Sequence, residues 1–142
     1  MKIFMIRSTS RYDFGEFFIQ SNGVFFPFQG WDDFYLPIIA HWVSEMIKYK
    51  NCNEAKFSVY FMDGPYCLHF RKKGENLTIN GVHEDDFAFE NSFCETLNYD
   101  EVKEMLLSLA AEIVKSLLFQ GYDKDKDVCF LVDQLKKENI II

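Results

Sequence analysis

"KFSVYFMDGPYCLHFRKKG", residues 56–74, decides the fold. Phe57, Val59 and Phe61 alternate with Lys56, Ser58 and Tyr60, and a period of two marks a strand covered on one face only. Asp63-Gly64-Pro65 breaks the pattern. Gly64 is free to take a positive φ, Pro65 has no N–H to offer a ladder, and an aspartate in a turn bonds its own backbone. Tyr66, Leu68 and Phe70 then alternate with Cys67, His69 and Arg71 on the way back. The stretch is an antiparallel hairpin with one apolar face, and Cys67 and His69 share the other.

Outward from this hairpin the chain reads as further strands and helices. "KKGEN" predicts a turn, residues 77–79 a strand, and Asn80-Gly81 another reversal. Residues 82–95 predict either a loop or one short strand around 87–90. Upstream, a strand is expected over 2–8. Residues 16–20 and 24–28 flank Ser21-Asn22-Gly23, a hairpin signal, with Pro27 holding the second strand to an edge or to its end. Between these and the central hairpin lies a helix. Asp32 or Asp33 suits its cap and Pro37 its first turn, and one narrow polar stripe runs along it: His41, Ser44, Glu45 and Lys48. A second helix begins at Asn98, with Glu101 completing a capping-box-like pair. It carries an apolar stripe of Val102, Met105, Leu106, Leu109, Ile113 and Leu117, and it stops at Gly121. A last helix covers about 127–137, and the tail 139–142 either frays or adds a strand. This order predicts one α+β domain over 1–142, an antiparallel sheet of hairpins and meander with helices packed on it.

Composition limits function. Of 142 residues, 49% are hydrophobic and 16 are phenylalanine, enough for a packed core. Fifteen basic against 22 acidic side chains give a net charge of −7, which disfavours nucleic-acid backbones and anionic membranes and favours a basic partner. Neither a signal peptide nor a membrane span is expected, so the chain reads as cytoplasmic. Cys52, Cys67, Cys94 and Cys129 are scattered without a CxxC spacing, as reduced thiols are.

Cys67 and His69 form the sharpest catalytic pair, but no acidic residue or helix N-terminus is evident to activate the thiol, and a half-exposed strand face explains both. "DKDKD" (Asp123, Asp125, Asp127) opens like a calcium loop, yet its sixth and twelfth positions are Val128 and Gln134. A capping loop is the better account. His41, His69 and His83 lack ligand spacing, and neither a metal nor a cofactor is expected. The densest negative patch is Glu84, Asp85 and Asp86 with Glu90 and Glu95. Interleaved with Phe87, Phe89 and Phe93, it reads as a charged rim around aromatic anchors, a docking surface for a basic protein.

Two segments, "GWDDFYLPIIAHWVSEM" (30–46) and "FMDGPYCLHF" (61–70), carry a resemblance. In order and spacing they resemble immunity proteins of bacterial contact-dependent growth inhibition and related polymorphic toxin systems, where a Trp-Asp-Phe-like helix start precedes an Asp-Gly-Pro-like turn. The resemblance implies a small cytoplasmic protein without enzymatic activity. Such a protein neutralises a cognate toxin domain, often a nuclease, by occluding its active site. The partner would then be a basic toxin domain, with no direct contact to nucleic acid or membrane. A dimerising adaptor or protein-binding module is the alternative, and a small enzyme using Cys67 and His69 ranks third.

Overall fold

The computed structural model describes residues 1–84 and 89–142, with side chains described for 1–84 and 93–142. Among these residues the chain forms eight strands and three helices, an α+β fold with two antiparallel sheets where the sequence suggested one. The first sheet holds β1 (Lys2–Arg7), β2 (Gly15–Ser21) and β3 (Val24–Phe26) in that order, with the short β4 (Asp32–Asp33) also paired to β2. β2 and β3 turn at Asn22-Gly23, whose φ values of 51° and 79° are the paired positive angles a two-residue hairpin loop requires. Pro27 directly follows β3, as its missing donor dictates.

The second sheet is the meander β5 (Glu54–Tyr60), β6 (Tyr66–Lys73), β7 (Asn76–Glu84) and β8 (Phe89–Asn98). Here the sequence reading needs correction. Asn80-Gly81 does not reverse the chain, because β7 runs straight through it. Gly81 is there for space: a Cβ at this position would stand 2.6 Å from the Phe26 ring. Phe26 packs on the bare backbone and touches Phe61, Tyr66 and Phe93, with ring centres 5.7, 5.8 and 6.3 Å away. The end of β3 is thereby pinned to the second sheet, and the β7–β8 register shifts between Gly81 and Val82. The turn after β6 is also tighter than "KKGEN" implied, since Lys72 and Lys73 belong to the strand. The short strand expected at 87–90 starts outside the described residues, and β8 itself runs on to Asn98.

α1 (Tyr35–Lys48) and α2 (Tyr99–Phe119) pack on the inner face of the second sheet, and α3 (Lys126–Lys137) packs on those two helices. Trp42 of α1 meets Phe70 at 5.4 Å, and Phe70 stacks on Phe57 at 4.7 Å. Asn98 caps α2 by accepting from the Glu101 N–H at 3.0 Å. At its other end Gly121 N–H bonds Leu118 O and Tyr122 N–H bonds Leu117 O, at 3.1 and 3.0 Å, the paired bonds of a Schellman stop. Within "DKDKD", Asp125 caps α3 through the amides of Asp127 and Val128, at 2.8 and 3.0 Å. The 139–142 tail adds no strand.

A buried charge secures each end of α1. Neither Asp32 nor Asp33 is the cap residue, a position that falls to Phe34. Asp33, wholly buried, accepts from the amides of Phe34, Met62 and Asp63 and from the Trp31 indole, at 2.7 to 3.2 Å. A buried carboxylate persists only when its lone pairs are met in this way. It ties the helix entry to the β5–β6 turn, which Asp63 was expected to brace for itself. At the far end Lys72, only 6% exposed, donates to the carbonyls of Tyr49 and Lys50, both at 2.9 Å, and lies 4.1 Å over the Tyr99 ring. A cation suits the negative end of the helix dipole.

Candidate functional site

Successive residues of a strand face opposite sides, so a face turned away from the helices has its own composition. On the second sheet the outer face carries Ser58 and Tyr60 from β5, Cys67, His69 and Arg71 from β6, and Thr78, Asn80, Val82 and Glu84 from β7. The His69 ring is the hub. Its Nδ1 stands 2.7 Å from Ser58 Oγ and 3.8 Å from Cys67 Sγ, and its Nε2 lies 3.2 Å from Glu84 Oε1. Two expectations change here. Cys67 and His69 do not stand apart as parallel side chains, because the ring leans along the strand to meet the sulfur. An acidic partner also exists: Glu84 approaches from the adjacent strand, fifteen residues downstream, which spacing in the sequence does not reveal.

Cys67 is fully buried rather than half-exposed. Burial first, and then the nearby Glu84 carboxylate, push its thiol up to about 11, and hydrogen bonds with Tyr60 and Ser58 offset this only in part. A thiol kept protonated at neutral pH is a weak nucleophile. Cys67, His69 and Glu84 are nonetheless a set of donors whose ligand atoms all lie within 4.8 Å of one another. His41 and His83 lie elsewhere, His41 contacting Ser58 O at 3.1 Å and His83 stacked on Tyr66 at 4.9 Å.

Of the acidic patch, the two members with described side chains, Glu84 and Glu95, lie on opposite faces of the sheet. Glu84 ends β7 on the outer face. Glu95 pairs with Ile79 and shares a strand face with Phe93 and Leu97, so it points to the helix side, where its Oε2 is buried without a hydrogen-bond partner among the described residues. Glu90 pairs with His83 through its backbone, and nothing of its side chain is described. Asp85, Asp86 and Phe87 fall outside the described residues. Phe93 is core, not an interface anchor.

A second surface escaped the sequence reading. On the first sheet the outer face carries Phe4 and Ile6 from β1, Phe18 from β2 and Phe25 from β3. Phe4 stacks on Phe18 at 5.0 Å and Phe18 meets Phe25 at 5.8 Å. Phe18 is 5% exposed yet stands outside the main core cluster, because these neighbouring rings cover it, while Ile6 is 59% exposed. The signal was present: residues 3–6 and 17–19 are apolar at consecutive positions, so both faces of those strands are apolar.

The two segments that carry the family resemblance meet in space. Asp33 holds the Met62 and Asp63 amides, and a Cβ on Gly64 would lie 3.0 Å from the Trp31 ring. Among known proteins no family model, curated sequence or solved structure matches this chain. Among the described residues no helix is long and apolar enough to cross a membrane.

Proposed function

We propose that this protein is an immunity-type inhibitor that binds a cognate, basic toxin domain in the cytoplasm and occludes its active site, without catalysis of its own. The observation that carries the reading is the outer face of the first sheet. Phe4, Phe18 and Phe25 form an aromatic cluster, with Ile6 beside them and Lys2, Glu16 and Gln20 on the same face. Aromatic anchors within a polar rim are how energetically dominant protein contacts are built. The net charge of −7 supports a basic partner by raising encounter rates and rejecting acidic competitors. The contact between the Trp31–Asp33 and Met62–Gly64 segments supports the resemblance, since the residues that carry it serve one structural purpose.

The test is rescue of growth. The C-terminal fragment of the protein encoded immediately upstream is induced in a bacterial host with and without this chain. Arrest that this protein relieves, and that the Phe4→Ser/Ile6→Ser variant relieves poorly, sustains the proposal. A harmless fragment, or arrest that persists despite folded protein, sinks it. In that event self-association of the purified chain through the same face would favour the adaptor.

A further inference from the structure

We propose that Cys67, His69 and Glu84 form a binding site for a single zinc-like divalent cation on the outer face of the second sheet. The site is independent of the toxin reading, which rests on the other sheet. Its donors are a thiol sulfur, an imidazole nitrogen and a carboxylate oxygen. That mixture suits a borderline-soft ion such as Zn²⁺ and discriminates against Mg²⁺ and Ca²⁺, which take all-oxygen shells.

The geometry is close to what such an ion needs. Tetrahedral Zn–S and Zn–N bonds place their donor atoms roughly 3.5 Å apart. A single ion takes one donor atom from each residue, and the three atoms lie within 4.8 Å of one another, with Cys67 Sγ 3.8 Å from His69 Nδ1. The 3.2 Å contact of Glu84 is to the other ring nitrogen, Nε2, and is given up when the carboxylate joins Nδ1 on the ion. Closing on an ion takes side-chain re-orientation that draws donors from within 4.8 Å to roughly 3.5 Å of one another. The backbones are already fixed, since Cys67 and Val82 are register partners on adjacent strands, with His69 and Glu84 each two residues further along. A site on paired strands holds its donors more firmly than one on loops.

Access and surroundings fit as well. Cys67 forms the floor, while the His69 and Glu84 side chains are 34% and 36% exposed. An ion can therefore enter from solvent and keep water in a fourth position. Ser58 Oγ at 2.7 Å from Nδ1 steadies the ring now, and that contact gives way or becomes a further oxygen donor when Nδ1 takes the metal. The thiol binds as thiolate and its proton passes to solvent.

Cobalt(II) titration of the Cys52→Ser/Cys94→Ser/Cys129→Ser protein tests this, because the three exposed thiols are removed and Cys67 is the only sulfur ligand of its kind left. One equivalent of Co²⁺ should bring up a thiolate-to-metal absorption band that Zn²⁺ abolishes and equimolar Mg²⁺ does not. Adding Cys67→Ser should erase the band, and adding Glu84→Gln or His69→Gln should weaken binding roughly tenfold or more. Zn²⁺ should raise the melting temperature of the three-serine protein and not of its Glu84→Gln derivative. Absence of the band at equimolar cobalt overturns the site, as does a band that survives Cys67→Ser. If circular dichroism shows Cys67→Ser to be unfolded, Glu84→Gln decides, and undiminished affinity there rejects the assignment.

Discussion

The outer faces of the two sheets solve the same problem in opposite ways. Each is turned away from the helices and each hides side chains outside the main core, Phe18 on the first sheet and Cys67 with its register partner Val82 on the second. Phe18 is covered by other rings, so what this face presents beyond itself is still apolar. Cys67 lies beneath a net of polar contacts through His69, Ser58 and Glu84, so its face presents groups that water also satisfies. The first arrangement gains by burial against a partner. The second gains little from burial and more from an ion that can use its donors together. The two proposals rest on this difference, docking on the apolar face and ion binding on the polar one.

The largest effect should come from below both faces. Asp33→Ala leaves three amides and an indole without their acceptor, and a loss of about 3–5 kcal/mol is expected in urea denaturation. A loss under about 1 kcal/mol would mean that the two regions do not depend on this clamp. Next, Phe18→Ala should cost about 3 kcal/mol, whereas the Phe4→Ser/Ile6→Ser change should cost about 1 kcal/mol and still abolish growth rescue. Equal stability costs would erase the distinction between a covered ring and a docking surface.

Thiol chemistry sharpens the comparison from the other side. With its thiol pushed up to about 11, Cys67 holds roughly a hundredfold less thiolate at pH 7.5 than an ordinary cysteine. Mass spectrometry after timed iodoacetamide treatment should show Cys52, Cys94 and Cys129 modified long before it. Fast labelling of Cys67 would return it to the list of candidate nucleophiles. The smallest effect is alkaline. Tyr35 is raised to about 12 by burial, and Tyr12 to about 12 by its hydrogen bond to Asp125 and then by burial. Folded values above the unfolded value near 10 mean that this stability is complete below pH 10 and is lost as pH climbs from 10 through 12. Cys67, raised to about 11 from an ordinary value near 9, adds a loss over pH 9 to 11, so denaturation midpoints should be flat up to about pH 9 and fall more steeply beyond pH 10. A fall that begins near pH 8 would implicate other groups.

Local pattern alone reached a large part of this molecule. The alternation in 56–61 and 66–71, the Asn22-Gly23 turn, the Asn98 cap, the Gly121 stop and the failed calcium loop all depend on neighbours a few residues away, and sequence displays those directly. It could not show why Gly81 is a glycine, because the reason is the Phe26 ring, which comes from another sheet. Lys72 looked like a turn residue because its carbonyl acceptors lie more than twenty positions upstream. Asp33 was placed at the right end of α1 and given a local task, when two of its four donors come from the β5–β6 turn.

The same limit applies to function. The sequence by itself determined the α+β class, the positions of hairpins and helices, the acidic charge and the shared strand face of Cys67 and His69. Only the tertiary structure decided that Glu84 joins them, that Glu84 and Glu95 point to opposite sides of their sheet, and that Phe4, Phe18 and Phe25 form one surface. Periodicity records which face a residue takes within its own element. Which elements lie side by side is fixed by packing between distant segments, and that information is spread over the whole core.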